Sequence, residues 1–466
     1  AIRAAHIARE THHHERAVEM FNLSLKGQLD VDLQIKIRVD MADSLARSGR
    51  YLEAAQTLEA LTELSLQEAL RWRARRYQLY LMSGELSDLL TQADDLSAKA
   101  KIILADLLLP LRPLAARSLI GDQDSLTAQL VKIAFLAGAH NERAVNEAER
   151  ILEQFEVDPE RGAYFVSWGL ARIQVSSAKD EWSPALKVVQ DLRTHVQEED
   201  TFSLNHLRIL EWESRINLEM GKIHEAKSAA RILLVTTRSH GLLGLRSSAC
   251  VLMALAHIEA GEDIAASRLL AESSRCRRSQ PKTLPHVHHQ IAYCRHLFYR
   301  GQIVDTLVQL RSLRRTQELQ PLLTRRDTSL QFSLLHGRAA ALLALSEHYQ
   351  LEIDRGQLTG SLAIPSRELL EHACDILEKA IPRPKAWLTL FRTFQGLISN
   401  DWQQVNTLTI NALKSNQESF KNPLVRSIFG ALYLLALKRA EQLNQSRGSS
   451  EETPNKYAKQ AKQLRD

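Results

Sequence analysis

Three short stretches decide the fold: Glu219-Met-Gly-Lys-Ile-His-Glu-Ala226, Glu259-Ala-Gly-Glu-Asp-Ile-Ala-Ala266 and Tyr299-Arg-Gly-Gln-Ile-Val-Asp-Thr306. Their glycines, Gly221, Gly261 and Gly301, lie 40 residues apart. Each stretch is typical of a helix, a tight turn and a second helix, because Gly takes a positive φ at low cost after a helix end. The small residue five places after each Gly lets the second helix lie close to the first. A fixed period of this length predicts a stacked array.

The same alternation of small and large residues occurs upstream of these stretches. It is carried by Ala42, Leu45, Gly49, Tyr51, Ala54 and Leu58. Small residues at two of these positions allow two helices to approach, and the large ones fill the space between neighbouring hairpins. The sequence therefore predicts an all-α, tetratricopeptide-like α-solenoid, a right-handed superhelix of about nine or ten helical hairpins.

Interruptions of this pattern divide the chain into regions. The predicted regions are N-terminal helical hairpins (1–92), an irregular helical connection (93–124), central regular repeats (125–346), an inserted loop (347–366), C-terminal hairpins with a closing helix (367–445), and a linker with a mobile tail (446–466). Pro110 and Pro113 interrupt a Leu-rich run in the irregular connection, and proline breaks helices. Asn400 and Asp401 replace the Gly turn in the C-terminal region.

Composition excludes several classes of protein. The formal charge is only +5 over 466 residues, which is too weak to indicate nucleic acid as a partner. The chain has four cysteines without paired metal-ligand spacing, which are expected to be reduced thiols: Cys250, Cys276, Cys294 and Cys374. The most apolar run, 102–109, contains Asp106 and is too short to span a membrane. Because the chain begins with Ala and carries no signal peptide, we expect a soluble, cytoplasmic piece of a longer protein.

Motifs for catalysis or cofactor binding are missing from the sequence. It has no phosphate-binding loop, dinucleotide-binding glycine pattern, kinase catalytic loop, nucleophile elbow or HExxH helix. We expect no enzymatic activity and no cofactor in this chain. The run His12–His14 points its side chains in diverging directions on a helix, and the cluster His286, His288 and His289 has no Cys or carboxylate at ligand spacing. We therefore expect no metal site.

Two basic runs, 71–76 around Trp72 and 275–278, are more typical of solvated faces than of binding sites. In tetratricopeptide-like arrays the first helix of each hairpin lines the concave groove. Applying this register to the sequence places several basic residues at groove positions. The groove positions then hold Arg71, Lys132, Arg208, Arg215, His288 and Arg295.

The groove cations outnumber the acidic residues opposite them, Asp43 and Glu211. Arg is suited to bidentate capture of carboxylates. One hypothesis is that this surface binds an acidic peptide or an acidic face of a neighbouring domain. The other interpretation is that these cations pair with local Glu and Asp residues.

The order of features resembles the C-terminal helical-repeat region of large bacterial signalling proteins, notably planctomycete-type serine/threonine kinases with an appended AAA/STAND-like ATPase. The resembling segments are Glu15-Arg-Ala-Val-Glu-Met-Phe21, Ser48-Gly-Arg-Tyr-Leu-Glu-Ala-Ala55, Asp158-Pro-Glu-Arg-Gly-Ala163, Tyr299-Arg-Gly301 and Ser399-Asn-Asp-Trp402. Similar arrays follow the ATPase of maltose-regulator-like transcription activators. The resemblance implies a kinase and an ATPase upstream of this chain, and none of their catalytic residues maps onto it.

Three functions remain open from the sequence. The leading one is a non-catalytic interaction or sensor scaffold that controls attached catalytic domains. The second is a small-molecule or peptide receptor module of a transcriptional regulator, which a deep pocket would favour. The weakest is a nucleic-acid-binding solenoid, which would require a continuous basic stripe.

Overall fold

A computed structural model describes most of the chain as helix. The described residues are 1–10, 13–27, 29–47, 50–62, 98–109, 112–121, 123, 125–139, 141–155, 165–197, 204–239, 242–277, 283–348, 366–379, 385–415, 420 and 423–446. Within these ranges every regular element is a helix and none is a strand.

Contacts divide the chain into unit 1, Ala1–Tyr293, and unit 2, Cys294–Asp466. The helices that begin in unit 1 are α1 (Ile2–Glu10), α2 (His14–Leu25), α3 (Val31–Arg47), α4 (Tyr51–Thr62), α5 (Ala98–Leu108), α6 (Pro113–Ile120), α7 (Leu126–Ala137), α8 (Glu142–Glu153), α9 (Phe165–Ala178), α10 (Trp182–Gln197), α11 (Leu204–Glu219), α12 (Ile223–Ser239), α13 (Leu243–Glu259), α14 (Asp263–Cys276) and α15 (Leu284–Tyr299). The last residues of α15 belong to unit 2.

The helices that begin in unit 2 are α16 (Ile303–Arg315), α17 (Gln320–Leu323), α18 (Arg326–His348), α19 (Ser366–Lys379), α20 (Lys385–Ile398), α21 (Trp402–Lys414) and α22 (Pro423–Ser446), with a 3-10 turn at Gln317–Leu319. In both units consecutive helices pack as pairs, and α22 closes the stack against α21. The described ranges contain ten such pairs, from α1–α2 to α20–α21. The predicted all-α array of helical hairpins is therefore confirmed.

The predicted glycine turns share one backbone geometry. Gly221, Gly261 and Gly301 have φ values of 72°, 74° and 77°. In each turn the Gly N–H donates to the carbonyl three residues earlier, and the next N–H donates to the carbonyl five residues earlier. This arrangement is the Schellman motif, which satisfies the free carbonyls of a helix end.

Two further turns have the same hydrogen bonds without glycine. Asp180 ends α9 with φ 60°, and Asn400 ends α20 with φ 57°. Asn400 was predicted to replace the Gly turn, whereas Asp180 was not recognised. Asn and Asp tolerate the left-handed region better than other residues with a side chain, so five hairpins in the described part of the chain close in the same way.

Small buried residues set the distance between the paired helices. Ser214 and Ala226 lie 12 residues apart and are both fully buried, and the Ser214 hydroxyl donates to the Ala226 carbonyl at 3.1 Å. The pairs Ala254–Ala266 and Cys294–Thr306 recur at the same spacing. Thr306 donates to the Cys294 carbonyl at 3.4 Å. The predicted close approach is confirmed at Ala226 and Thr306, and Ala266 is fully buried.

The Gly261 turn permits a test of this geometry. A Cβ atom at Gly261 would meet nothing within 4 Å, so Gly261→Ala should destabilise the protein through backbone strain alone, by about 1 kcal/mol. Urea unfolding followed by circular dichroism measures the change. Gly261→Asn is the matched control and should lose less stability than Gly261→Ala, because Asn400 adopts the same positive φ in the corresponding turn of another hairpin. An Ala variant as stable as the wild type would contradict this explanation of the turn.

Part of the predicted irregular helical connection, 93–124, lies within the described residues. Its described part holds α5 and α6, which pack against each other. Pro113 is the first residue of α6, where a missing N–H costs nothing. Residues 63–97, the inserted loop beyond residue 348 and the tail from 447 lie outside the described residues.

The core of unit 1 connects helices that are distant in sequence. Leu104 and Leu108 of α5 belong to the same buried cluster as Leu207 and Leu210 of α11. The N-terminal hairpins therefore share a core with the central ones. Among the described residues, no helix is long and apolar enough to cross a membrane.

Candidate functional site

Arg208 lies on α11, the first helix of its pair, and contacts α5. Its Nη1 is 3.4 Å from Oδ2 of Asp106, and its Nη2 donates to the Asp106 backbone carbonyl at 3.1 Å. The Arg208 side chain is 13% exposed and that of Asp106 is 35% exposed. Arg208 is therefore held against a carboxylate that is 102 residues away in sequence.

Arg215 lies seven residues after Arg208 on the same face of α11. Its Nη2 is 3.6 Å from Oε1 of Glu211, one helical turn earlier. Its guanidinium also lies over the Trp212 ring, at 5.1 Å from the centroid. An ion pair and a cation–π contact thus orient the side chain while leaving 21% of it exposed.

The other predicted groove residues are placed differently. Lys132 on α7 is 3.6 Å from Glu147 on α8, and both side chains are well exposed. His288 and Arg295 lie seven residues apart on α15, each half-buried, but Arg295 belongs to unit 2. Arg71 lies outside the described residues. The structure places Arg208 and Arg215 on one helix face, and the predicted six-residue groove stays a prediction.

Sequence reasoning missed the aromatic partners of the first-helix arginines. On α9, Arg172 lies over Trp168 at 5.2 Å, and α9 packs against α11. The spacings Trp168 to Arg172 and Trp212 to Arg215 are one helical turn, so both pairs could have been found from sequence. We call Trp168, Arg172, Arg208, Trp212 and Arg215 the first-helix surface.

Unit 2 contains a third arginine–aromatic cluster. Arg338 of α18 lies 4.2 Å from the Trp387 ring centroid, 5.7 Å from that of Phe298 and 6.0 Å from that of Tyr299. These rings come from α15 and α20, so the cluster connects three first helices. No local spacing in the sequence indicates it.

An ion cluster around the nearly buried Glu272 joins the α11–α12 pair to the α13–α14 pair. Glu272 on α14 accepts hydrogen bonds from Arg238 of α12 at 2.9 Å and from Arg246 of α13 at 2.7 Å. The Glu272 side chain is only 12% exposed. The Arg238 hydrogen bond lowers the Glu272 pKa to about 2, against the opposing effect of burial.

The Glu272 cluster gives a pH-dependent prediction. A lowered folded-state pKa contributes stability that is present above the unfolded value, near 4.5, and is lost as pH falls towards 2. Glu272→Gln should therefore cost about 2 kcal/mol at neutral pH and much less near pH 2. Urea unfolding at several pH values measures this difference. Glu225→Gln, which removes an exposed carboxylate from α12, is the control, and equal losses in both variants would contradict the prediction.

The cysteines of the chain are poorly suited to nucleophilic chemistry, and the described residues form no metal cluster. All four thiols are free and buried, and burial raises the pKa of Cys250, Cys294 and Cys374 to about 12. Such thiols are poor nucleophiles. No group of three or more His, Cys, Asp or Glu residues in the described part of the chain could hold a metal.

Unit 2 has a pocket between α19, α20 and α21. Its volume is about 440 Å3. The lining combines the apolar Leu388 and Phe420 with Lys385 and the Glu378–Arg392 ion pair. Its size falls within the range of small-ligand sites.

Comparison with known proteins supports the fold. No family model and no curated protein matches the chain. The chain is similar to the Rap protein complexed with Competence and Sporulation Factor, at 10% identity and a TM-score of 0.52, over 85% of this chain and 98% of that one. It is also similar to the APC/C hetero-tetramer Cut9–Hcn1 (12% identity, TM-score 0.40, covering 98% and 95%) and to yeast Tom70 (10% identity, TM-score 0.34, covering 96% and 98%).

The likeness to Rap is one of fold. The TM-scores of Cut9–Hcn1 and Tom70 are too low to support a shared fold. Together with the helical pairs and their shared turns, the likeness to Rap shows that the chain is an all-α, tetratricopeptide-like solenoid. The fold class predicted from the glycine spacing is therefore confirmed.

Proposed function

We propose that this chain is a non-catalytic repeat region that binds an acidic peptide, or an acidic face of an adjacent domain, on the first-helix surface. The observation that carries this proposal is the pairing of Trp168 with Arg172 and of Trp212 with Arg215 on two helices in contact. Trp and Arg are the residues that contribute most to binding at protein interfaces.

Three arginines on these helices can contact an acidic ligand. On α9, Arg172 is the sole charged residue and is exposed. On α11, Arg215 and Arg208 are held in fixed positions by Glu211 and Asp106. A ligand carboxylate can replace these internal partners and form bidentate contacts, so the side chains are ordered before the ligand arrives.

The wider setting of the chain is part of the same proposal. The resemblance described above supports a regulatory repeat region of a multidomain bacterial serine/threonine kinase or STAND ATPase in the cytoplasm. A Rap protein of similar fold is complexed with Competence and Sporulation Factor, which is in keeping with ligand binding by an array of this kind.

Peptide titration tests the proposal. A fluorescent poly-Glu peptide should bind the protein with micromolar affinity, and the affinity should fall as salt is raised, because the exposed charges are screened. A poly-Gln peptide of equal length is the matched control and should bind at least about tenfold more weakly. Equal binding of the two peptides, or no binding of either, would contradict an acidic ligand.

The pocket in unit 2 favours a second candidate, a receptor module for a small molecule. Lys385, Arg392 and Glu378 supply charges around an apolar floor. A ligand of this site would protect α20 and α21 from hydrogen exchange and leave the poly-Glu affinity unchanged. If no small molecule from a metabolite screen protects these helices, the receptor candidate fails.

A further inference from the structure

Two motifs that are separate in the sequence meet at the corner between α14 and α15. Arg277 follows the last residue of α14, and His286 lies in the first turn of α15. The Arg277 Nη1 hydrogen-bonds to Nδ1 of His286. Arg277 of the basic run and His286 of the histidine cluster are therefore in direct contact.

Arg277 is a buried cation without a compensating carboxylate in the described part of the chain. The residue is only 6% exposed, and its Nε has no hydrogen-bond partner among the described residues. Burial lowers its pKa to about 10. Glu272, the nearby buried carboxylate, is already bonded to Arg238 and Arg246. The residues between the two helices, 278–282, are Arg-Ser-Gln-Pro-Lys and include no Asp or Glu.

A buried guanidinium is normally paired with an anion because its desolvation is costly. The partner of Arg277 is instead an imidazole whose pKa is lowered to about 4 by burial and by Arg277 itself. This imidazole is neutral at physiological pH. It accepts the Arg277 hydrogen bond through Nδ1, so its Nε2 carries the remaining proton and is a donor.

The surroundings of this pair favour negative charge. His286 lies at the N-terminal end of the 16-residue helix α15, where the helix dipole attracts anions. His286 is half-buried and gives the corner access to solvent. Next to it, the hydroxyls of Ser247 and Ser273 and the Nδ1 of His289 form a buried chain with 3.0 Å contacts. These groups are bonded to one another, whereas the Arg277 Nε has no acceptor among the described residues and no described carboxylate is bonded to Arg277.

We propose that Arg277 and His286 form a binding site for a phosphate group. A doubly charged phosphate fits better than a single carboxylate, because it brings more negative charge to the buried cation and offers more oxygens to the Arg277 guanidinium and the His286 Nε2–H. Arg can bind phosphate through two parallel N–H groups. The phosphate can be inorganic or belong to a phosphorylated amino acid, since both present the same oxygens.

Thermal unfolding of the full chain tests the site. Millimolar inorganic phosphate should raise the wild-type Tm by about 2 °C relative to chloride at equal ionic strength. Phosphoserine should act like phosphate if the physiological source is a phosphorylated side chain. Acetate should have no effect, and an equal shift with acetate would overturn the choice of phosphate over carboxylate.

Variants separate this site from general charge effects. Arg277→Met should abolish the phosphate-dependent shift, and Arg275→Gln, which removes an exposed positive charge two residues away, should retain it. His286→Gln should reduce the shift. In chloride, the Tm of Arg277→Met should be no lower than that of the wild type, because the substitution removes a buried charge that no carboxylate compensates. Loss of the shift in Arg275→Gln as well, or its persistence in Arg277→Met, would overturn the proposal, as would a wild type insensitive to phosphate.

Discussion

Replacing Gly337 by Ala should destabilise unit 2 by about 3 kcal/mol. Gly337 lies on α18 beneath the ring of Phe391 on α20, and a Cβ atom at this position would be 2.1 Å from Cε2 and 2.7 Å from Cζ of that ring. Phe391 is fully buried between two helices. The ring therefore cannot move aside without separating α18 from α20.

Hydrogen exchange measured on peptides from α18 and α20 would show the effect in the unit where it arises. Gly430→Ala is the matched control, since Gly430 lies inside α22 and a Cβ atom there meets nothing within 4 Å. The free energy of unfolding of that variant should rise by about 1 kcal/mol, because Ala has a higher helix propensity than Gly. Adding Phe391→Leu to Gly337→Ala should restore part of the loss. A Gly337→Ala variant with wild-type exchange would show that α18 and α20 do not pack as described.

The features that could be predicted from the sequence are those set by local backbone chemistry. The spacing of Gly221, Gly261 and Gly301 indicated the hairpins, because a positive φ after a helix end strongly favours glycine. The small residues at Ala226 and Ala266 indicated the close contact of the paired helices. Both signals come from residues close together in the chain.

The features that could not be predicted depend on contacts between distant segments. Nothing near Arg208 in the sequence shows that its partner is Asp106, because that contact requires α5 to lie beside α11. The same is true of Arg338, whose aromatic neighbours come from two other helices. Asp180 was overlooked for a different reason: a turn without glycine gives a weak signal, although its backbone geometry is the same.

The candidate site also has one part that could be predicted from the sequence and one part that was not. The register selected Arg208 and Arg215, which lie on one face of α11 because residues seven apart point in nearly the same direction. It did not identify Trp212 as the neighbour of Arg215, or the Trp168–Arg172 pair on α9, because the register selects residues by position and not by ring contacts. Arginine pairs with aromatic rings one helical turn away are a sequence signal that would have added both.

Reversing the charges of Arg208 and Arg215 should have the largest effect on binding. Each Glu substitution removes an attraction and adds a repulsion, which together change the affinity for an acidic peptide about tenfold. The two changes lie on one face of α11 and should combine to a loss of about 100-fold. Arg208→Glu also faces Asp106 at close range, so circular dichroism must show that the helices of the double variant remain intact.

The matched control reverses two charges elsewhere on the same unit. Arg231 on α12 and Arg268 on α14 are exposed and lie on the second helices of their pairs. Arg231→Glu/Arg268→Glu changes the net charge by the same amount without touching the first-helix surface. Its affinity for the poly-Glu peptide should fall less than about threefold, through long-range repulsion alone.

The most direct test of an acidic ligand on the first-helix surface is therefore the dissociation constant of the poly-Glu peptide for these two double variants, measured side by side at one ionic strength. We expect Arg208→Glu/Arg215→Glu to bind at least about 30-fold more weakly than Arg231→Glu/Arg268→Glu. Equal affinities would contradict this proposal, because the acidic ligand would then respond to the net charge of the protein and not to the first-helix surface.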